Sequence, residues 1–246
     1  MTPDIDPALK AELAPTGTLR VALNLSNFLL VQHDAATGES RGVAVDLGHE
    51  LAARIGVPVT CATYATAGKI ADTATADAWD VAFIGAEPQR EDVIAFTAAY
   101  VEIEATYLVP AGSAIRTLAD VDRDGVRIAT ADRSAYDLYL ARTLRHATLV
   151  RAPDIPSSFA RFVADGLDVL AGLKPRLLSE QPKLPGSRIL DGNFTVIRQA
   201  MATPRSRQRA AAYLAAFAED IKASGLVAAT IERYGVRGLR VASPRA

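Results

Sequence analysis

Short apolar runs alternate with helical repeats along most of this chain, and that alternation leaves few folds open. Leu19 to Leu25 reads as a strand, and Leu47, Leu51 and Ile55 then recur at i, i+4 and i+8 as one face of a helix. Val57 to Thr63 and Asp80 to Ile84 follow as further strands. Strands separated by helix-length segments imply crossovers and a mainly parallel sheet. After Tyr107-Leu-Val-Pro110-Ala-Gly112 the alternation restarts with a strand at Val126 to Thr130. Ser134-Ala-Tyr-Asp137 then reads as a capping box for a helix carrying Leu140 and Leu144. Strands near Thr148 to Arg151 and Asp168 to Leu170 flank a helix holding Phe159, Phe162 and Val163, and Ile189 and Thr195 to Ile197 read as extended. Two helices close the chain, one with Tyr213, Leu214, Phe217 and Ile221 ending at Gly225, the other with Val227, Ile231 and Tyr234 ending at Gly235.

A length of 246 residues suits one large domain or two α/β lobes. The chain has 27 Lys and Arg against 28 Asp and Glu, so it has no global attraction for a polyanion, and nucleic acid is not an expected partner. No apolar run approaches the roughly 18 residues of a membrane span, so no membrane insertion is expected. Asp4, Asp6, Lys10 and Glu12 interrupt the first twenty residues, which therefore contain no apolar h-region. As written the chain reads as cytoplasmic, and as periplasmic if a signal peptide has been removed. From Arg198 to Ala246, nine Lys and Arg face three Asp and Glu, which reads as a solvated helix face or a docking surface for an acidic partner.

Searches for reactive groups are mostly negative. There is no glycine-rich phosphate loop, and His33, His49 and His146 are scattered without metal-ligand spacing, so neither cofactor nor metal is expected. Ser134 lacks a Gly-x-Ser-x-Gly setting and reads as a helix cap. Cys61, the one cysteine, lies in an apolar run and reads as a buried structural thiol.

Seven segments in register resemble the extracellular solute-binding proteins of family 3, the polar amino-acid binders of ABC importers. They are Gly17-Thr-Leu-Arg-Val-Ala22, Arg41-Gly-Val-Ala-Val-Asp-Leu47, Ala78-Trp-Asp-Val-Ala82, Arg90 with Phe96-Thr-Ala-Ala-Tyr100, Leu118-Ala-Asp-Val-Asp122, Gly166-Leu-Asp168 and the closing Gly225 to Tyr234. The resemblance implies two Rossmann-like α/β lobes with a ligand cleft between them and two hinge crossings, the type 2 periplasmic binding protein fold. It places residues 1–109 with 200–246 in lobe 1 and 110–199 in lobe 2, with crossings near Tyr107 to Gly112 and Ile197 to Thr203. The implied function is a non-enzymatic binder that closes on a small carboxylate-bearing ligand, an amino acid or related organic acid, with an ABC transporter membrane component as partner. A lyase similar to cyclohexadienyl dehydratases, using Glu87, Glu102 or Glu104 as general acid, and a ligand sensor are the alternatives on the same scaffold.

By position, Arg90 matches the arginine that clamps the ligand carboxylate, a role its planar fork suits. Asn24, Asn27 and Phe28 fall in the loop after the first strand, where the family offers polar groups and an aromatic wall. Ser134 and Ala135 fall at the helix start that supplies hydroxyl and backbone donors, and a helix N-terminus favours an anion in any fold. The departures matter too. Glu87 stands where many relatives have a hydroxyl, and Ala171-Gly-Leu-Lys174 lacks the acid that holds a ligand's ammonium. Lys174 and Lys69 add positive charge instead, which points to a ligand richer in anionic groups and to a reduced advantage for zwitterionic amino acids.

Overall fold

The computed structural model describes residues 5–244. In chain order the elements are α1 (Pro7–Leu13), β1 (Leu19–Asn24), β2 (Gln32–His33), β3 (Ser40–Arg41), α2 (Val43–Ile55), β4 (Val59–Tyr64), α3 (Ala67–Asp72), β5 (Val81–Gly85) and β6 (Ile94–Val109). There follow β7 (Arg127–Ala131), α4 (Ala135–Thr143), β8 (Thr148–Ala152), α5 (Ile155–Ala164), β9 (Val169–Leu173), α6 (Lys174–Glu180), β10 (Arg188–Ile189) and β11 (Thr195–Pro204). The chain closes with α7 (Gln208–Ala223), α8 (Leu226–Arg233) and β12 (Arg240–Val241). It divides into two compact units, one formed by residues up to Glu102 and from Arg198 onward, the other by Ile103–Ile197. The two strands β6 and β11 run through these division points, so no loop marks either of them.

In unit 1, β1 pairs in parallel with β4 (Leu19 opposite Val59) and with β5 (Val21 opposite Val81). β11 runs antiparallel to β5, with Ala202 opposite Ala82. One face of this sheet buries Ala22, Ile84 and Ala202 with Ile70, Trp79 and Ile94. Trp79 can be fully buried because its indole N–H has partners, the Ile70 carbonyl at 3.2 Å and the Thr73 hydroxyl at 3.1 Å. The helix α7 buries Tyr213, Leu214, Phe217 and Ile221, the face its spacing gave. On α8 the buried residues are Val227 and Thr230, while Ile231 and Tyr234 are half-buried.

An ion cluster closes one end of unit 1. Asp80, fully buried, accepts from the Arg20 backbone N–H (2.8 Å), Nε (3.0 Å) and Nη2 (2.8 Å) and from Arg207 Nη1 (2.5 Å). Asp77 accepts from the same two guanidinium groups, at 2.8 Å from Arg20 and 2.5 Å from Arg207. Much of the basic surplus of the C-terminal stretch is taken up in this way, for Arg209 pairs with Asp6, Arg233 with Asp46 and Arg240 with Glu102. Cys61, expected to be buried, is exposed because β4 is an edge strand paired only through β1. Desolvation by the surrounding chain still raises its thiol pKa, so the thiolate is disfavoured.

In unit 2, β7 pairs in parallel with β8 and β9, and β6 is antiparallel to β9 with Ala105 opposite Leu173. Phe162, Leu167, Leu170 and Leu177 pack with Leu108 and Ala129 as its core. Val163, which the helical spacing grouped with Phe162, is exposed. Leu144 likewise falls just past the end of α4, with ψ 144°. Among the described residues no helix is long and apolar enough to cross a membrane.

Candidate functional site

In unit 1 the parallel strands β4, β1 and β5 all end on the same side, and the loops leaving them carry the residues singled out in sequence. After β1, the Asn24 side-chain oxygen accepts from the Ser26 N–H (3.2 Å) and hydroxyl (2.7 Å), and the Asn27 N–H donates to the Asn24 carbonyl at 3.2 Å. This is a local turn of the kind Asn favours. Asn27 is 5% exposed, and its side-chain oxygen is buried without a hydrogen-bond partner, whereas Phe28 is exposed. A buried amide oxygen left unpaired is costly, which makes this atom a natural acceptor for an incoming donor.

The turn is fixed from behind by Gly42. Its φ is 131°, and a Cβ there would lie 2.4 Å from the Leu30 carbonyl oxygen. That carbonyl accepts from the Ala44 N–H at 3.1 Å. Gly42→Ala is expected to push the 27–31 turn away from α2, weakening ligand binding at least ten-fold and lowering the melting temperature by several degrees, on the scale of about 1–3 kcal/mol for backbone strain. Calorimetry and a melting curve on the same sample check it.

The segment after β5 holds a short 3-10 turn, Pro88–Arg90, preceded by Glu87 at its N-cap, and Glu87 and Arg90 are both buried. Arg90 Nη1 donates to the Gly85 carbonyl at 2.7 Å, and its backbone N–H to the Glu87 carbonyl at 2.9 Å. A guanidinium is a planar fork whose geometry matches a two-oxygen acceptor. Lys69 stands in the first turn of α3, its backbone N–H capped by Thr66 and the residue exposed.

In unit 2 the corresponding ends are those of β7 and β9. Ser134 caps α4 by accepting the Asp137 N–H at 3.2 Å, and Ala135 begins the helix. The reciprocal half of the expected capping box is replaced: the Asp137 carboxylate accepts from the Arg133 N–H (3.0 Å) and from Arg151 Nε (2.9 and 3.1 Å). Burial raises the pKa of Asp137, and Arg151 opposes that rise. Arg133, just before the cap, adopts φ 54°, uncommon for a residue with a side chain.

Lys174 opens α6 at the end of β9, and its ammonium sits 2.8 Å from Glu104 Oε2, with side chains 37% and 46% exposed. Since Ala105 lies opposite Leu173, Glu104 is the acid nearest in register to the end of β9. Sequence reading had no access to this pairing, which depends on the antiparallel register of β6. Nor did it find the aromatic stack in which Phe194 lies 4.4 Å from Tyr107 and 5.9 Å from Tyr139, with Arg142 over Tyr139 at 5.0 Å. Of the three acids considered for acid catalysis, Glu87 is the one that is nearly buried. Among the described residues no three His, Cys, Asp or Glu side chains are grouped to hold a metal.

The fold has counterparts among solved structures. A mutant of ArgBP from T. maritima superposes with a TM-score of 0.75 at 20% identity, covering 93% of this chain and 99% of that one. An ancestral amino acid-binding protein described as a precursor of cyclohexadienyl dehydratase superposes at 0.74 with 18% identity, covering 91% and 97%. A putative ABC transporter binding component from Wolinella succinogenes, complexed with lysine, gives 0.75 at 18% identity, covering 89% and 95%. These likenesses establish the type 2 periplasmic binding protein fold. No curated protein sequence matches the chain. The model of the bacterial extracellular solute-binding proteins, family 3, matches residues 19–237, from the first residue of β1 to beyond the end of α8, and the chain therefore belongs to that family.

Proposed function

We propose that the chain is the ligand-binding component of an ABC-type uptake system and holds a small carboxylate-bearing ligand, an amino acid or related organic acid, at the carboxyl ends of its parallel strands. The observation that carries this reading is the buried Arg90 in the segment that follows β5, anchored through Nη1 on the Gly85 carbonyl at the strand's end. Ligands of open parallel sheets bind at such ends. Asn24, Asn27 and Phe28 then line the same side of unit 1, and within unit 2 the α4 start at Ser134 and Ala135 presents backbone donors suited to an anion. Binding shifts the population toward a closed form that a membrane component of the transporter recognises. The family's extracellular setting supports a protein that works outside the cytoplasmic membrane.

The balance of charge at the end of β9 bears on ligand class. Lys174 is answered by Glu104, so the ligand meets a charge pair there rather than an isolated cation. In this reading Glu104 supplies the acid that Ala171-Gly-Leu-Lys174 lacks, and an ammonium-bearing ligand is accepted. Glu104→Gln is expected to shift preference from an amino acid toward its keto or hydroxy analogue by roughly ten-fold, the scale of one charge-assisted hydrogen bond, and Lys174→Met to shift it the other way. A thermal-shift screen of matched amino, keto and hydroxy acids tests both the class and the residues. A complete absence of stabilisation by any of the three classes defeats the functional reading, while stabilisation with an unchanged order in both variants defeats the role given to the pair.

A further inference from the structure

The chain passes between its units after Glu102 and again after Ile197. The last residue before the first crossing and the first residue after the second are joined electrostatically, for Glu102 Oε1 lies 4.0 Å from Arg198 Nε. The other oxygen of the same carboxylate is 2.5 Å from Arg240 Nη2, in the C-terminal segment. That segment is also laid along the strand. β12 pairs antiparallel with β6, Arg240 opposite Glu102 and Val241 opposite Val101, and the Ala242 N–H donates to the Tyr100 carbonyl at 3.1 Å. Its far end is pinned to α7, where the buried Lys222 ammonium donates to the Ser243 carbonyl at 3.2 Å.

We propose that residues 240–243 form a strap that stiffens β6 up to the crossing, and that Glu102 is a positioning residue which sets where the chain bends. A hinge works through a few residues that absorb the change in φ and ψ. With Tyr100 to Glu102 held in a ladder on the strap, the bend is confined to the residues after Glu102. The carboxylate, shared between Arg240 and Arg198, ties the strap to both crossings. Ordering the crossing in advance lowers the entropy that ligand binding must otherwise remove, so the strap acts on affinity for every ligand alike.

The affinity part rests on the binding function proposed above; the stiffness part does not, and the two are read separately. Hydrogen exchange on the ligand-free protein is the first measurement, comparing the parent with Glu102→Gln and with a chain ending at Gly238. Exchange over residues 100–104 is expected to accelerate at least ten-fold in the shortened chain and several-fold in Glu102→Gln, with β7 unchanged. Unchanged exchange there overturns the proposal whether or not any ligand is known. The second measurement is affinity for whichever carboxylate stabilises the parent in the thermal-shift screen. Glu102→Arg is expected to weaken it about 3- to 10-fold, an amount in keeping with partly exposed ion pairs, with the order among ligands preserved. Glu102→Arg combined with Arg240→Glu is expected to restore it. A changed ligand order, or a double variant no better than the single one, overturns the positioning role.

Discussion

Arg90→Ala is expected to weaken binding of the carboxylate ligand by about 30-fold to several thousand-fold, the range for truncating one partner of a buried charge pair at about 2–5 kcal/mol. The loss is large because the guanidinium is nearly buried, 4% exposed, so water does not replace what the ligand loses. Arg90→Lys separates charge from geometry. It keeps the cation but not the fork that reaches Gly85 and a two-oxygen acceptor together, and is expected to recover only part of the affinity. Calorimetry on the three proteins decides, and binding by Arg90→Ala as tight as the parent's rules out the clamp. Because the same side chain anchors the end of β5, a melting curve on each variant shows how much of the effect is folding.

The second large effect concerns stability. Asp80→Ala removes a fully buried carboxylate that accepts from Arg20 and Arg207, leaving two guanidinium groups without their buried partner. Breaking such a pair from one side costs about 3–5 kcal/mol, and for a chain of this size that corresponds to a fall in melting temperature of roughly 10 °C. Asp77→Asn, at a carboxylate that is 66% exposed, is expected to change far less at neutral pH. Asp77 does carry a pH signature, since its hydrogen bond from Arg20 lowers its pKa. The stability it adds is present above the ordinary carboxylate pKa and is lost as pH falls through its depressed folded value. Thermal melts between neutral and acid pH, with and without Asp77→Asn, show the two curves converging in acid.

Features that follow from local spacing were legible in the sequence. The apolar face of α7, the strand–helix alternation of both halves and the Ser134 cap need only the neighbours in the chain. Three of the discrepancies have a long-range cause. The apolar neighbours of Cys61 point to burial, but its exposure depends on β4 having no strand beyond it. Lys174 reads as a free cation until the register of β6 brings Glu104 to it. The basic C-terminal stretch reads as a surplus until its acceptors appear in distant segments, Asp6, Asp46, Asp77 and Glu102 among them. For the candidate site residues, local spacing indicates only positions near strand ends. Burial of Arg90 and Glu87 and the unpaired oxygen of Asn27 emerged only from the packed structure.

The position of β11 in the sheet bears on the order in which the chain acquires its structure during synthesis. Unit 2 is one continuous stretch, Ile103–Ile197, so every strand and helix it needs has been made by the time Ile197 is added. Unit 1 is different, because β5 pairs with β1 on one side and with β11 on the other, and that second partner emerges only after unit 2 is complete. Until then β5 is an open edge carrying the apolar run Val81–Gly85, the kind of edge that invites pairing with another chain. Asp80, immediately before it, also waits for Arg207. The half of the protein that begins first is thus the half that finishes last, and its nascent form is the one with most need of a chaperone.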